Sequence, residues 1–187
     1  MAHFFQVQPE ALLRRFSVYV VVARRAGETR LYVGKTGDNR EGCNPIISRC
    51  GNHFSYNKIH SQVRNKFPLH EKWQYTYVFD HFDEYCDDLA VRRRRIDRIN
   101  EMERWLNTQI QKELRDYGHA KLENPFRNRG VLSQREQDIR TAFRNDPEAT
   151  AKLSSIVDKV RQLLGDTTRN CNQDVVEENG KFLSADN

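Results

Sequence analysis

Phe16-Ser17-Val18-Tyr19-Val20-Val21-Val22-Ala23 is followed by Arg24-Arg25-Ala26-Gly27-Glu28 and then by Thr29-Arg30-Leu31-Tyr32-Val33-Gly34. The first run is dense in β-branched and aromatic side chains, which suit a strand. The middle run carries a glycine among polar residues and reads as a turn. The third run is a second strand, so the stretch predicts an antiparallel hairpin. Residues 74–79, rich in Tyr, Thr and Val, predict a third strand.

Helices surround this core. Asn44 can cap a helix whose first position is Pro45, and Ile46, Cys50 and Phe54 recur every fourth residue as one apolar stripe. A short helix is expected over residues 59–66. The longest should run over residues 89–117 and stop at Gly118, with Ile99, Met102, Leu106, Ile110 and Leu114 on its apolar positions. Residues 118–130 read as irregular. Polar helices are expected near residues 133–143 and 147–164, and from Gly165 the composition suggests a loosely ordered tail. The expected class is α/β in its α+β form: a small central three-stranded sheet, antiparallel or mixed, flanked by helices. Residues 1–130 form the expected main domain and residues 131–187 a C-terminal helical extension.

The 187 residues carry a formal net charge of +5, with 37% apolar and 30% charged side chains. A basic surface attracts polyanions, so nucleic acid is an admissible partner. No apolar run approaches the roughly 20 residues of a membrane span. Met1-Ala2-His3-Phe4-Phe5 lacks the order of a signal peptide. The expectation is a soluble, cytoplasmic protein without a membrane partner. Cys43, Cys50, Cys86 and Cys171 lack the paired spacing of a zinc ribbon. Cys50 and His53 on one helix turn, with Cys43 nearby, are a possible metal set; reduced, partly buried thiols are the alternative.

Glu103 shares a helix face with Ile99, Leu106 and Ile110. A carboxylate on an apolar stripe is costly unless a cation or hydrogen bonds offset it. On this helix alone a metal ion and an arginine partner fit equally. Glu101 is the competing carboxylate, about 200° around the helix from Glu103. Arg49 and His53 lie one turn apart: a guanidinium suits phosphate, and an imidazole can orient water or move a proton. Tyr19 and Tyr32 sit in adjacent strands, and Lys35 follows the second. Gly34-Lys35-Thr36 is not a phosphate-binding P-loop, because Thr29 stands where the upstream glycine is needed. Arg92, Arg93, Arg94 and Arg95 form a basic run that serves either as a solvated face or as a phosphate-contacting stripe.

Together these pieces resemble the GIY-YIG nuclease family. Ser17-Val18-Tyr19 is similar to its first motif and Tyr32-Val33-Gly34 to its second, continuing into Lys35. Arg49 stands at the place of the family arginine, and its spacing to His53 resembles the restriction-endonuclease branch. Glu103-Arg104-Trp105-Leu106 resembles the segment bearing the metal-binding glutamate. Asn124, within Leu122-Glu123-Asn124-Pro125, matches a later family asparagine, for which Asn128 competes. The likeness covers about residues 16–130. Ser17 departs from it by replacing the first motif's glycine.

The resemblance implies a metal-dependent endonuclease acting on double-stranded DNA, restriction-type and site-specific. A homing or repair-type nickase and a catalytically inactive nucleic-acid-binding module are the alternatives. It implies Mg2+ on Glu103, with Mn2+ as a substitute. Tyr19 would be general base or position the water, with Lys35 lowering its pKa. Tyr32 would bind the phosphate or water, Arg49 the transition-state charge. His53 would orient the base or relay a proton, and Asn124 would hold the site or the DNA backbone. Arg64 and the Arg92–Arg95 run would contact DNA. A homodimer would place one site on each strand. Sequence specificity would come from residues 39–44 and 57–73 or from the helices after Gly130.

Overall fold

The computed structural model describes residues 2–37, 43–127, 133–143 and 146–180, with side chains described as far as residue 165. The predicted hairpin is its centre. Strand β1 (Arg15–Arg25) pairs antiparallel with β2 (Glu28–Lys35), closing at Arg25 and Glu28. Ala26 and Gly27 between them both have positive φ, 42° and 79°. A two-residue loop with φ positive at both positions twists with the strands and closes them tightly. Strand β3 (Gln74–Glu84) pairs antiparallel with the other side of β1.

The sheet has four strands rather than three, in the order β3-β1-β2-β4. Strand β4 (Ala120–Leu122) lies parallel to β2, with Leu122 beside Leu31, inside the stretch expected to be irregular. Three residues are too few for a period-two pattern to stand out from a loop. The mixed α+β class is as expected.

β1 reads as nearly continuous apolar sequence because helices cover both of its faces. Phe16, Val18, Val20 and Val22, with Leu31, Val33, Val78 and Phe82, pack on the side of α3 (Leu89–Glu113) and α5 (Pro147–Gly180). Tyr19, Val21, Ala23 and Tyr32 point the other way, onto α1 (Ile46–Phe54) and the Val63 and Phe67 region of α2 (Gln62–Lys66). From α3 the core takes Ile99, Met102, Leu106 and Ile110 as expected, with Leu114 packed at its margin. From α5 it takes Leu153, Ile156, Val160 and Leu164, so this helix shares the sheet's own core.

Several boundaries differ from expectation. Pro45 itself, rather than Asn44, is the N-cap of α1, with no side-chain capping bond. α2 begins at Gln62, because residues before it form a side-chain-tied loop. α3 is capped by the Asp88 carboxylate, which accepts from Ala90 N and Val91 N at 2.9 and 2.8 Å. Its last expected turn tightens into a 3-10 turn at Leu114–Asp116. α5 continues past Gly165 to Gly180. α4 (Gln134–Phe143) buries no residue fully. Among the described residues, no helix is long and apolar enough to cross a membrane.

Candidate active site

Tyr19 on β1 lies directly opposite Gly34 on β2. Its ring crosses the β2 backbone so closely that a Cβ at position 34 would meet Tyr19 Oη and lie 2.5 Å from Cζ. Gly34 is therefore required by the tyrosine, not by the backbone: it clears the space the phenol occupies. The Tyr19 hydroxyl ends 3.0 Å from Nε2 of His53, which is fully buried on the last turn of α1. His53 Nδ1 lies 2.9 Å from the hydroxyl of Tyr77 on β3, and Tyr77 is in turn hydrogen-bonded with Cys50. Tyr32 meets the imidazole edge-on, with ring centroids 5.4 Å apart.

These contacts explain why α1 departs from its expected stripe. Ile46 and His53 turn fully inward, while Cys50 and Phe54 are half-buried. A histidine tolerates that position because both ring nitrogens have phenol partners. Neither nitrogen remains for a metal shared with Cys50, and the Cys43 thiol bonds Thr36 Oγ1 at 3.7 Å. The cysteine–histidine metal set is thus overturned. Ser17, in the place of the motif glycine, sets its hydroxyl 2.7 Å from His81 Nδ1.

Burial dominates the electrostatics. It pushes His53 down to about 3, helped by the neighbouring Arg49 charge, so the imidazole is neutral near pH 7. Burial also raises the Tyr19 phenol above its ordinary value; Arg49 pulls it back by charge and a hydrogen bond, while Tyr32 and Glu103 push it up. Arg49 is a cation acting on Tyr19, and the expected Lys35 places its Nζ 3.5 Å from the Gly37 carbonyl. Tyr19 is protonated in the resting protein.

Glu103 is half-buried rather than on the sealed stripe. The buried carboxylate is Glu101, paired with Arg104 and, at 4.0 Å, with Arg140 of α4. Glu101 thus has arginine partners of its own, because α4 covers a second side of α3 that helical periodicity does not reveal. Glu103 opens onto a groove of about 660 Å³, also lined by Lys66, Asn107, Asn124 and Arg127.

Asn124 acts as an extra rung beyond the end of β4. Its Oδ1 accepts from Val33 N at 3.0 Å, and its Nδ2 donates to Val33 O at 2.7 Å. Each amide end thus bonds the Val33 backbone, so Asn124 holds the edge of β2 in place. The buried Asn107, one turn beyond Glu103, donates to Asn124 O at 2.9 Å and accepts from Phe126 N at 2.8 Å. This clasp fixes α3, with Glu103, against β2, with Tyr32. Asn128 lies outside the described residues.

The expected DNA-contacting arginines are dispersed. Arg92 bonds the Tyr85 hydroxyl at 2.8 Å, Arg95 bonds the Glu84 carbonyl, and Arg93 and Arg94 are exposed. Roughly 12 Å of helix rise separates Arg95 from Glu103. Arg64 bonds the Ser55 carbonyl and covers the Tyr56 ring. Lys66, Asn107 and Tyr77 went unnoticed in the sequence; only Asn107, one turn from Glu103, carried a spacing signal.

Among the described residues, no three His, Cys, Asp or Glu side chains converge as a cation cage. One carboxylate at an open groove nevertheless fits a hydrated Mg2+, an ion held by one or two carboxylates plus substrate phosphate oxygens. No family model, no curated protein and no solved structure matches the chain.

Proposed function

We propose that this chain is a metal-dependent endonuclease of the GIY-YIG type that hydrolyses phosphodiesters of double-stranded DNA. The observation carrying the proposal is the convergence of Tyr19, Arg49, His53 and Glu103: a phenol hydrogen-bonded to a neutral imidazole, within the field of one guanidinium and one carboxylate. Phosphodiester hydrolysis needs an activated water, positive charge on the phosphoryl oxygens and help for the departing oxygen. Glu103 is the residue that would hold a divalent cation, Mg2+ or Mn2+, which when bound supplies Lewis-acid charge beside the phosphoryl group.

Arg49 binds the phosphate. That pairing offsets the guanidinium charge that depresses His53, so substrate binding itself makes the imidazole a better base. His53 Nε2 then takes the Tyr19 proton as Tyr19 Oη takes one from the attacking water. Tyr77 accepts from Nδ1–H and so holds the tautomer this transfer requires. Tyr32 steadies the imidazole edge, Lys35 adds positive charge at the end of β2, and Asn124 keeps that edge in register. The resemblance to the restriction-type branch favours site-specific cutting by a soluble, cytoplasmic homodimer. The test is plasmid cleavage: purified protein should nick supercoiled DNA with Mg2+ and stop with EDTA. DNA left intact under both conditions would refute the reading.

A further inference from the structure

Residues 43–70 contain no Asp or Glu, yet carry Arg49, Lys58, Arg64 and Lys66. Within this acid-free stretch the α1–α2 loop, residues 55–61, holds two bulky side chains in solvent: Tyr56 is 84% exposed and Ile59 76%. A single exposed apolar side chain is ordinary. Here the backbone that presents them is tied down. Ile59 N donates to Asn57 Oδ1 at 2.9 Å, and Ile59 O accepts from Gln62 Nε2 at 2.9 Å. Asn65 Nδ2 holds the Lys58 carbonyl at 2.8 Å. The fully buried Ser61 hydroxyl bonds the carbonyls of Ser55 and Asn57. The Arg64 guanidinium lies 4.0 Å over the Tyr56 ring. The loop therefore does not hide Ile59 by collapsing; its own side chains hold it outward. It leads into α2, whose last residue, Lys66, lines the groove of Glu103.

We propose that this loop is a wedge for duplex DNA, with Ile59 inserting at a base step while Lys58, Arg64 and Lys66 take the flanking phosphates. A rigid aliphatic tip on a stretch that carries cations and no carboxylates of its own matches the way side chains unstack and bend a duplex. Duplex DNA supplies both regularly spaced phosphates for those cations and a stacked interior for Ile59, whereas a free phosphate would leave Ile59 unburied. The proposal rests on the endonuclease reading for the choice of duplex DNA, and its test does not depend on cleavage.

Binding is measured with the full chain in EDTA, on a duplex carrying 2-aminopurine, across a salt series. Binding should raise the 2-aminopurine fluorescence. Ile59→Ala should abolish the rise and weaken affinity by about tenfold, the order expected for losing a buried aliphatic side chain. Lys58→Ala, which removes no bond holding the loop, should lower the slope of log K against log salt by about one. Unaltered melting temperatures would confirm that both variants fold. An unchanged fluorescence rise and affinity in Ile59→Ala would overturn the wedge, as would failure of the wild type to bind duplex. Ile59-dependent unstacking by a protein that never cuts DNA would uphold the wedge and remove the nuclease reading.

Discussion

Gly34→Ala should damage both stability and activity, through one contact. The added methyl would stand 2.5 Å from Tyr19 Cζ and 2.7 Å from Cε2, in a region where the ring is completely buried. Carbon atoms need about 3.5–4.0 Å, so the phenol must move by roughly 1 Å. Overpacking of this kind costs about 1–3 kcal/mol, and each kcal/mol lowers the melting temperature of a chain this size by about 2–4 °C. The ring cannot move that far and keep its 3.0 Å contact with His53. A displacement of this size at a reacting group costs about 10²-fold in rate. Calorimetry and plasmid nicking would measure the two effects. Gly51→Ala is the control: on α1 its new methyl meets nothing within 4 Å, so it should gain up to about 1 kcal/mol from helix propensity. Removing the ring should remove the penalty, so Gly34→Ala should cost far less in a Tyr19→Ala background. Equal melting temperatures for Gly34→Ala and wild type, or full activity of that variant, would refute the claim that glycine serves to clear the phenol.

Acidification should destabilise the protein through His53. Its folded pKa, about 3, lies below the ordinary 6.5, so its contribution is complete above pH 6.5 and fades as pH falls toward 3. Denaturant titrations should show a loss on the order of a few kcal/mol across that window, and His53→Gln should flatten the dependence. Ala26→Asn should raise the melting temperature, by up to about 1 kcal/mol of stability, because Ala26 sits at φ 42° and asparagine tolerates that region better. Asn107→Leu should cost about 1–3 kcal/mol by leaving Asn124 O and Phe126 N without their partner. It should also raise the Mg2+ concentration needed for half-maximal nicking, since the clasp sets where Glu103 stands; an unchanged Mg2+ response would limit Asn107 to a structural role.

What the sequence made legible follows the strength of local signals. The hairpin was readable because Val20, Val21 and Val22 leave little alternative to a strand and Gly27 supplies its turn. The core stripe of α3 was readable because 25 residues give helical periodicity room to repeat. β4 was not, since its three residues pair through backbone bonds that any sequence can make. The site was half legible. Tyr19, Arg49 and His53 stand close in sequence pattern and meet in space, but Tyr77 joins them only because β3 pairs with β1 and places Tyr77 beside Val21. The two carboxylates show the limit most clearly. Periodicity alone puts Glu103 inside and Glu101 outside, whereas α4 buries Glu101 against Arg104 and Arg140 and leaves Glu103 at the groove. Lys66 reaches that groove through the α1–α2 loop, a path set by tertiary packing.

Glu103→Gln tests the central claim most directly, since it removes one charge while keeping the side chain's size and hydrogen-bonding reach. With Mg2+ and supercoiled plasmid, the variant should lose nicking by at least about 10³-fold, on the scale of losing a main electrostatic contributor to the transition state. Its melting temperature should stay near that of wild type, because the half-buried carboxylate lies outside the sealed core. Undiminished Mg2+-dependent nicking by folded Glu103→Gln would contradict the account.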